Sequence, residues 1–493
     1  MPHPLSSPQT ERNLTDAPPR ETVLALFSAV MLPMFLATID QTLLATASPR
    51  IGAQFGDLGD TSWIAIGYLL AATVMAPVYG RLGDRLGRRN VLIGALGVFA
   101  LGSLACGTAP SMAVLIGSRV LQGLGGGGLM VLCQALIGEI VPPRHRPRYQ
   151  AYFAIVFTAS GVGGPVIGGL VVHHADWRWL FLANLPLCAF AAWRVSRLPS
   201  HAPATLRGAP TDPAGLLLFV SCAVAALLWF NLAGRHFHWL SWPSAGLLVW
   251  TIGSGAVLVA QQRRHTAPFL PLDLLRQRTV QWICATVACF AAGMFALIFL
   301  LPIQLQLVHG ASAAGAGWQM LPLTLGLVLG SMINSRIVQR TSVPTRNPPF
   351  GLGLSAIGLA VLALAPPTTA VIVVAAAFVG LGFGTVMPNA QLATQTIAGP
   401  VRLGAAAALL SLTRSLGASL GTAAFGGLAF VLLQVGPGET AAAQQPASHP
   451  PAQAFHIVYG VLAAFVAIGA WAASRVPPVH LDADAAPLPA AGE

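Results

Sequence analysis

Charged residues are rare inside the long apolar segments of this chain, and two of them could carry chemistry. Asp40 is the one acid that lies well inside such a segment, and Arg119 lies inside another. An ionised side chain is costly in hydrocarbon unless it is paired or faces water, so both residues are functional candidates. A carboxyl group can bind and release a proton, which makes Asp40 a candidate for proton coupling.

Structural alternatives stay open for both residues. Asp40 could form only a salt bridge near the membrane surface, and Arg119 could serve only to hold the first and fourth segments together. A further internal cation, Arg414, has no partner that the sequence indicates.

A second concentration of charge is the stretch Gly80–Arg89, which holds four arginines, one aspartate and three glycines. Apolar segments flank it, so it must lie at a membrane surface, and its glycines favour a tight turn. Asp84 and Arg88 are four residues apart and can pair on a helical turn. Glu139 could complete a cluster with them, or it could be a solvated helix end. The cluster comprises Gly80, Gly83, Asp84, Arg85, Gly87, Arg88, Arg89 and Glu139.

Fourteen apolar segments of about 17–25 residues, the length that spans a bilayer, must position these side chains. A break at Pro366 and Pro367 separates the eleventh segment from the twelfth. The segments lie at 22–48, 61–79, 90–107, 112–138, 149–172, 179–195, 213–233, 244–261, 279–307, 315–334, 350–366, 370–397, 404–434 and 454–474.

The arginines predict the orientation of these segments. All 26 basic residues are arginine, and if the N-terminus is cytoplasmic, 21 of them lie on the cytoplasmic side and three outside. Because cytoplasmic loops carry the excess of positive charge, both termini are predicted to be cytoplasmic.

An internal repeat is visible in the fourth and twelfth segments. The pattern Gly-Leu-Gly…Met…Gln runs from Gly123 to Gln134 and again from Gly380 to Gln391. Segments 1–6 are therefore predicted to be related to segments 9–14, with segments 7 and 8 inserted. The predicted divisions are a tail at 1–20, a six-helix half at 21–200, the inserted pair at 201–270, a second half at 271–476 and a tail at 477–493.

Paired halves of this kind place a substrate site at their interface. The candidates for its cavity are the polar residues Thr42, Gln122, Gln134, Asn184 and Gln391.

The composition excludes several classes of protein. Hydrophobic residues make up 55% of the chain and charged residues 8%, against roughly 25% charged in soluble domains. The absence of lysine excludes a phosphate-loop lysine and a Schiff base within this chain. The six cysteines lie in apolar runs without metal-ligand spacing, so neither a metal nor a cofactor is expected. The first twenty residues do not have the pattern of a cleaved signal peptide.

These motifs carry a resemblance to a known family. Gly80–Arg89 resembles the G-x-L-(A/G)-D-R-x-G-R-(R/K) signature of the major facilitator superfamily, which lies there between helices 2 and 3. Arg119, with Gln122 and Gly123, resembles the R-x-x-Q-G motif of helix 4, whose arginine is implicated in proton coupling. The sequence around Asp40 resembles the helix 1 signature, although the usual asparagine is missing.

Two further motifs extend the resemblance. Trp177–Pro186 is similar to the family's entry into helix 6. The run Gly161–Gly169 resembles the antiporter motif of exporting members, in which glycines allow close helix crossing and a proline bends the helix. The residues assigned to that motif are Gly161, Gly164, Pro165, Gly168 and Gly169.

Two six-helix halves with a central pair resemble the fourteen-helix drug:proton antiporters of the EmrB/QacA type. The resemblance implies an all-α polytopic membrane protein of the major facilitator fold. It also implies proton-coupled export of amphipathic or cationic small molecules across the cytoplasmic (inner) membrane by alternating access, with Asp40 and Arg119 in the coupling path. The Asp84 cluster would stabilise the outward-facing state.

The expected partners are a small-molecule substrate, protons and the lipid bilayer. Nucleic acid is not expected, and a periplasmic adaptor protein is left open. One alternative is a dedicated exporter of a single metabolite, antibiotic or siderophore. A remote alternative is an integral-membrane enzyme, for which the polar stretches near 199–213 and 435–451 are too short.

Overall fold

The computed structural model describes residues 20–56, 61–198, 212–232, 237–238, 241–265, 272–366, 368–433 and 451–481. These residues form long helices joined by short turns. We number the long helices α1 to α14 and count each broken helix once. They are α1 (Arg20–Phe55), α2 (Thr61–Leu86), α3 (Arg88–Gly107), α4 (Met112–Ile140), α5 (Arg146–His174), α6 (Trp179–Leu182 and Asn184–Ser196), α7 (Pro213–Leu232), α8 (Trp242–Arg264), α9 (Arg278–His309), α10 (Leu321–Thr341), α11 (Pro348–Leu364), α12 (Thr369–Phe383 and Val386–Ala398), α13 (Leu403–Leu433) and α14 (Pro451–Ser474).

The helices are long and apolar enough to make a multi-pass membrane protein. Within the described residues, thirteen helices are long and apolar enough to cross a membrane. Helix α1 makes a fourteenth if its two parts, Ser28–Leu44 and Thr46–Phe55, which are bent by 46°, form one span. The all-helical fold class predicted from the sequence is confirmed. Pro366 lies between α11 and α12 as predicted, whereas Pro367 lies outside the described residues.

The two largest hydrophobic cores among the described residues are formed by different sets of helices. One core packs residues of α1–α6 such as Leu36, Phe99 and Leu132. The other packs residues of α9–α14 such as Leu300 and Phe383. The exact domain limits stay a prediction.

The inserted helix α7 lies along the seam between the halves. Phe219 and Leu227 of α7 pack in one cluster with Val74 of α2 and Leu412 of α13. A carboxylate at the start of α7 anchors the pair, because Asp212 accepts hydrogen bonds from the side chains of Gln261 (2.8 Å) and Gln262 (2.5 Å) at the end of α8.

The turn predicted over residues 80–89 is much shorter in the structure. Helix α2 continues to Leu86, and only Gly87 separates it from α3. Gly87 has φ 92°, a left-handed backbone conformation that favours glycine. The extended part of α2 includes Asp84, which is buried against α13 rather than solvated. We call the end of the bundle at which Gly87 lies the motif end.

Candidate functional site: two buried ion-pair clusters

The carboxylate of Asp40 lies at the centre of a polar cluster inside the first half. Asp40 is 2% exposed, and its Oδ2 accepts a hydrogen bond of 2.5 Å from Nη1 of Arg119. Its Oδ1 accepts from the side-chain amides of Gln122 (2.9 Å) and Asn184 (3.1 Å). Three donors from α4 and α6 therefore compensate one carboxylate of α1, which is the condition for burying a charge.

Several residues besides Asp40 contact the guanidinium of Arg119. Its Nε donates to the carbonyl oxygen of Ile64 at 3.1 Å, and its Nη1 also donates to Oε1 of Gln122 at 2.5 Å. The ring of Tyr68 lies 4.3 Å from its central carbon, a cation–π contact. Arg119 is 1% exposed, so the pairing with Asp40 is a fully desolvated one.

A residue that the sequence did not single out completes this cluster. Ser103 of α3 is fully buried, and its Oγ accepts from Nε2 of Gln122 at 2.8 Å. Ser103 in turn donates to the carbonyl of Phe99 at 2.9 Å. A neutral serine in an apolar segment carries no charge pattern, so only its position relative to Gln122 identifies it.

The net charge of the Asp40 cluster depends on whether Asp40 is ionised. With Asp40 ionised, the carboxylate and the guanidinium neutralise each other. With Asp40 protonated, Arg119 keeps its contacts with Ile64, Gln122 and Tyr68 but loses its counter-ion. A single proton therefore changes the net charge of a buried site. Within the described residues no group of three His, Cys, Asp or Glu side chains could bind a metal ion.

The second cluster lies at the motif end. Nη2 of Arg88 binds Oδ1 of Asp84 at 2.7 Å, and Nη1 binds Oε2 of Glu139 at 2.7 Å. Arg88 and Asp84 are both nearly inaccessible, so this is a buried network and not a solvated helix end. Arg88 therefore lies between the carboxylates of Asp84 and Glu139. The gating role of this cluster stays a prediction.

This motif-end cluster also bridges the two halves. Asp84 accepts hydrogen bonds of 2.9 Å from the backbone N–H groups of Gly404 and Ala405, in the first turn of α13. Arg88 donates to the carbonyl of Pro400 at 3.0 Å. A Cβ atom on Gly80 would lie 2.5 Å from the carbonyl oxygen of Gly404, so glycine is required where α2 crosses α13.

The second half contains a cluster of uncharged amides. Asn334 of α10 accepts hydrogen bonds of 2.8 Å from the side chains of Asn347 and Asn389. Three asparagines thus join α10, the start of α11 and α12.

Comparison with known proteins decides the family. Residues 30–422 match the profile of the Major Facilitator Superfamily. The chain belongs to the Major Facilitator Superfamily. The resemblance predicted from the motifs is confirmed, and the chain is a transporter rather than an enzyme.

Several relatives of this major facilitator chain are named efflux proteins. It is 30% identical over 409 residues to the multidrug transporter protein MdtP of Bacillus subtilis, covering 81% of this chain and 74% of MdtP. An uncharacterized MFS-type transporter of Mycobacterium tuberculosis is 33% identical over 405 residues, covering 82% of this chain. The match spans 59% of the length of that mycobacterial relative.

Solved structures share the fold. The human organic anion transporter MFSD10 superimposes with a TM-score of 0.66 at 16% identity, over 93% of this chain and all of MFSD10. The proton:xylose symporter XylE gives 0.64 at 13% identity, over 94% of this chain and 97% of XylE.

Helix α5 of this major facilitator chain packs closely against α1. A Cβ on Gly164 would collide with the Thr42 side chain, and one on Gly168 would lie 2.8 Å from the carbonyl oxygen of Leu43. Gly161 and Gly169 face open space, and Pro165 lies within the helix. The motif glycines therefore divide into two that form the α1–α5 contact and two that do not.

The residues predicted to line a substrate cavity separate into two groups. Gln122 and Asn184 bind Asp40 in this conformation, and Thr42 donates to the carbonyl of Ser160 at 2.8 Å. Gln134 and Gln391 lie on α4 and α12, at the interface of the halves, where the Gln134 carbonyl accepts from Gln395 at 3.1 Å. Their contact with substrate stays a prediction.

Two arginines of the motif have different surroundings. Arg89 donates to the carbonyl of Ser196 at 2.6 Å and so ties the start of α3 to the end of α6. Arg85, also within the motif, is half-buried.

Arg146 begins α5, and the sequence did not distinguish it from its neighbours. It is buried and donates to the carbonyls of Val141 (2.9 Å) and Gly138 (2.5 Å) at the end of α4.

Proposed function

We propose that this chain is a proton-coupled antiporter that exports amphipathic or cationic small molecules across the cytoplasmic membrane by alternating access. The observation that carries the proposal is the fully buried pair of Asp40 and Arg119, the one buried carboxylate–guanidinium pair away from the motif end among the described residues. A buried carboxylate is costly in a membrane, and one proton removes its charge. Such a group is suited to couple proton binding to a change of conformation. The efflux role is supported by relatives named as multidrug transporters.

Coupling would act through the charge of the Asp40 cluster. A proton that binds a carboxylate oxygen of Asp40 removes the counter-ion of Arg119 and leaves a buried cation partly compensated. Such a site costs several kcal/mol, so the protonated protein would favour a conformation in which Arg119 is rehydrated or paired again. Substrate binding in that conformation would favour release of the proton and return.

The motif-end cluster would act as the gate. Asp84 and Arg88 join α2 and α3 to the start of α13, so the halves are held together at that end. The excess of arginine at this end supports a cytoplasmic position, with both termini on the same side. The conformation described here would then be closed toward the cytoplasm.

The proposal is tested by transport in proteoliposomes. The purified protein is reconstituted, a pH gradient is imposed, and the flux of two xanthene dyes of opposite charge, fluorescein and rhodamine 123, is measured. Asp40→Asn keeps the size of the side chain and cannot ionise, so gradient-driven flux should fall to the level of empty liposomes. Asp176→Asn, at an exposed ion pair with Arg178, is the matched control and should leave flux unchanged.

Transport against a gradient by Asp40→Asn at the wild-type rate would contradict proton coupling through this residue. Flux of neither dye with the wild-type protein would contradict broad efflux and favour the dedicated exporter of a single metabolite.

A further inference from the structure

One cation lies between the two halves at mid-membrane depth. Arg414 of α13 is half-buried, and its guanidinium contacts Sδ of Met130 on α4 at 3.8 Å. Within the part of the chain that the structure describes, Arg414 has no carboxylate at ion-pair distance. The thioether is only a weak acceptor, so it leaves the charge uncompensated.

The depth of Arg414 follows from helix geometry. Leu403 begins α13 at the motif end, so a rise of 1.5 Å per residue places Arg414 about 16 Å from that end. Met130 is about 15 Å from Ile140, the end of α4, by the same measure. Both values fall near the middle of a hydrocarbon layer about 30 Å thick.

The carboxylates of the membrane region are already engaged. Asp40 is bound by Arg119, and Asp84 is bound by Arg88. An unpaired cation in the middle of a membrane is expensive, and such residues face a water-filled or ligand-binding space. Among the described residues, no carboxylate of the membrane region is left to serve as the counter-ion of Arg414 in this conformation.

Unpartnered hydrogen-bonding groups lie on the neighbouring helix α12. Gln391 is fully buried, and neither its amide nitrogen nor its amide oxygen has a hydrogen-bond partner among the described residues. Gln395 of α12 donates to the carbonyl of Gln134 on α4, so these two residues lie at the same level. Gln391 lies one helical turn before Gln395, and Met130 lies one turn before Gln134. This register places Gln391 about level with Met130, the residue that Arg414 contacts.

We propose that Arg414 binds an anionic group of the transported substrate, a carboxylate, sulfonate or phenolate on an amphipathic molecule. The interface between the halves presents a guanidinium, while both membrane carboxylates lie in closed clusters. Guanidinium groups bind carboxylates through two parallel hydrogen bonds, and Gln391 adds a neutral donor at the same depth. This inference rests on the proposed export function and narrows its substrate class from amphipathic or cationic molecules to amphipathic anions.

The test is equilibrium binding to the purified protein in detergent micelles, followed by fluorescence anisotropy. Fluorescein and rhodamine 123 share one ring system and carry opposite charges at neutral pH. The wild-type protein should bind fluorescein more tightly. Arg414→Gln should weaken fluorescein binding by about tenfold or more and leave rhodamine 123 binding unchanged. Arg414→Lys, which keeps the charge, should keep most of the preference.

A stability control accompanies the binding assay. Because Arg414→Gln removes no ion pair with a carboxylate that the structure describes, this variant should unfold at the wild-type temperature or above it. Equal affinity for the two dyes, tighter binding of rhodamine 123, no binding of fluorescein, or an unchanged affinity in Arg414→Gln would each overturn the proposal. Arg414-dependent fluorescein binding without pH-driven flux would support the anion site and contradict only the proton coupling.

Discussion

Asp84 of the first half and Gly404 of the second are joined by a hydrogen bond of 2.9 Å from the glycine N–H to the aspartate carboxylate. Because Gly404 lies in the first turn of α13, the carboxylate occupies the position of a helix-capping anion, where free N–H groups and the helix dipole favour negative charge. The same carboxylate pairs with Arg88. One aspartate thus stabilises both its own helix junction and the contact between halves.

Removal of this charge should open the motif end. Asp84→Asn is expected to shift the protein toward conformations with separated halves, because a charge-assisted hydrogen bond contributes roughly 1.5–3 kcal/mol and its loss changes the equilibrium by about tenfold or more. Double electron–electron resonance between nitroxide labels attached to Leu86→Cys and Arg278→Cys would measure the distance between the two halves. Both positions are exposed at that end.

In the protein used for labelling, the half-buried cysteines Cys222, Cys284 and Cys289 are replaced by alanine so that they do not react with the label. Asp176→Asn at the exposed ion pair is the control and should give the wild-type distances. An identical distance distribution in Asp84→Asn would show that the cap does not hold the halves together.

A double-mutant cycle separates the structural role of the Asp40–Arg119 pair from proton coupling. Asp40→Asn alone leaves a buried guanidinium without its counter-ion and should lower the free energy of unfolding by about 3–5 kcal/mol. Adding Arg119→Gln removes that charge, so the double variant should recover much of the lost stability. Thermal unfolding followed by tryptophan fluorescence measures this recovery.

Transport by the same double variant decides the coupling role. If the pair couples protons, gradient-driven flux should stay absent although stability returns. A double variant that regains both stability and pH-driven flux would assign the pair a purely structural role.

Alanine should have different effects on stability at two glycines of α5, Gly164 and Gly161. Gly164→Ala would place a Cβ atom 2.6 Å from Cβ of Thr42 and should destabilise the protein by about 1–3 kcal/mol through overpacking. Gly161→Ala meets no atom within 4 Å and gains helix propensity, so stability should stay the same or rise by up to about 1 kcal/mol. Thermal unfolding of the two variants in parallel checks the order, and equal effects would contradict the α1–α5 contact.

Two nearby arginines should differ in their effect on the end of α4. Arg146→Ala removes hydrogen bonds to the carbonyls of Val141 and Gly138 and should cost about 1–3 kcal/mol, because it leaves these acceptors without their charged donor. Arg148→Ala removes an exposed contact with Tyr152 and should cost less than about 0.5 kcal/mol. Chemical denaturation in mixed micelles compares them, and a larger loss in Arg148→Ala would refute this assignment.

The sequence alone determined the class of the protein and much of its charged chemistry. Long apolar segments must be helical in a bilayer because the backbone has no water to bind, so the helical membrane fold followed from composition and length. The cost of burying charge likewise identified Asp40, Arg119 and the Asp84 motif without any structure. These inferences depend on single segments, which the sequence shows directly.

Only the tertiary structure decided which side chains meet. Ser103 and Tyr68 join the Asp40 cluster from two other helices, and neither carries a charge that would mark it in the sequence. The cap by Asp84 on Gly404 joins residues 320 positions apart. Within the described ranges, the absence of a carboxylate at ion-pair distance from Arg414 is also a property of packing. Contacts of this kind depend on how helices cross, and helix crossing is set by the side chains of all the neighbouring helices together.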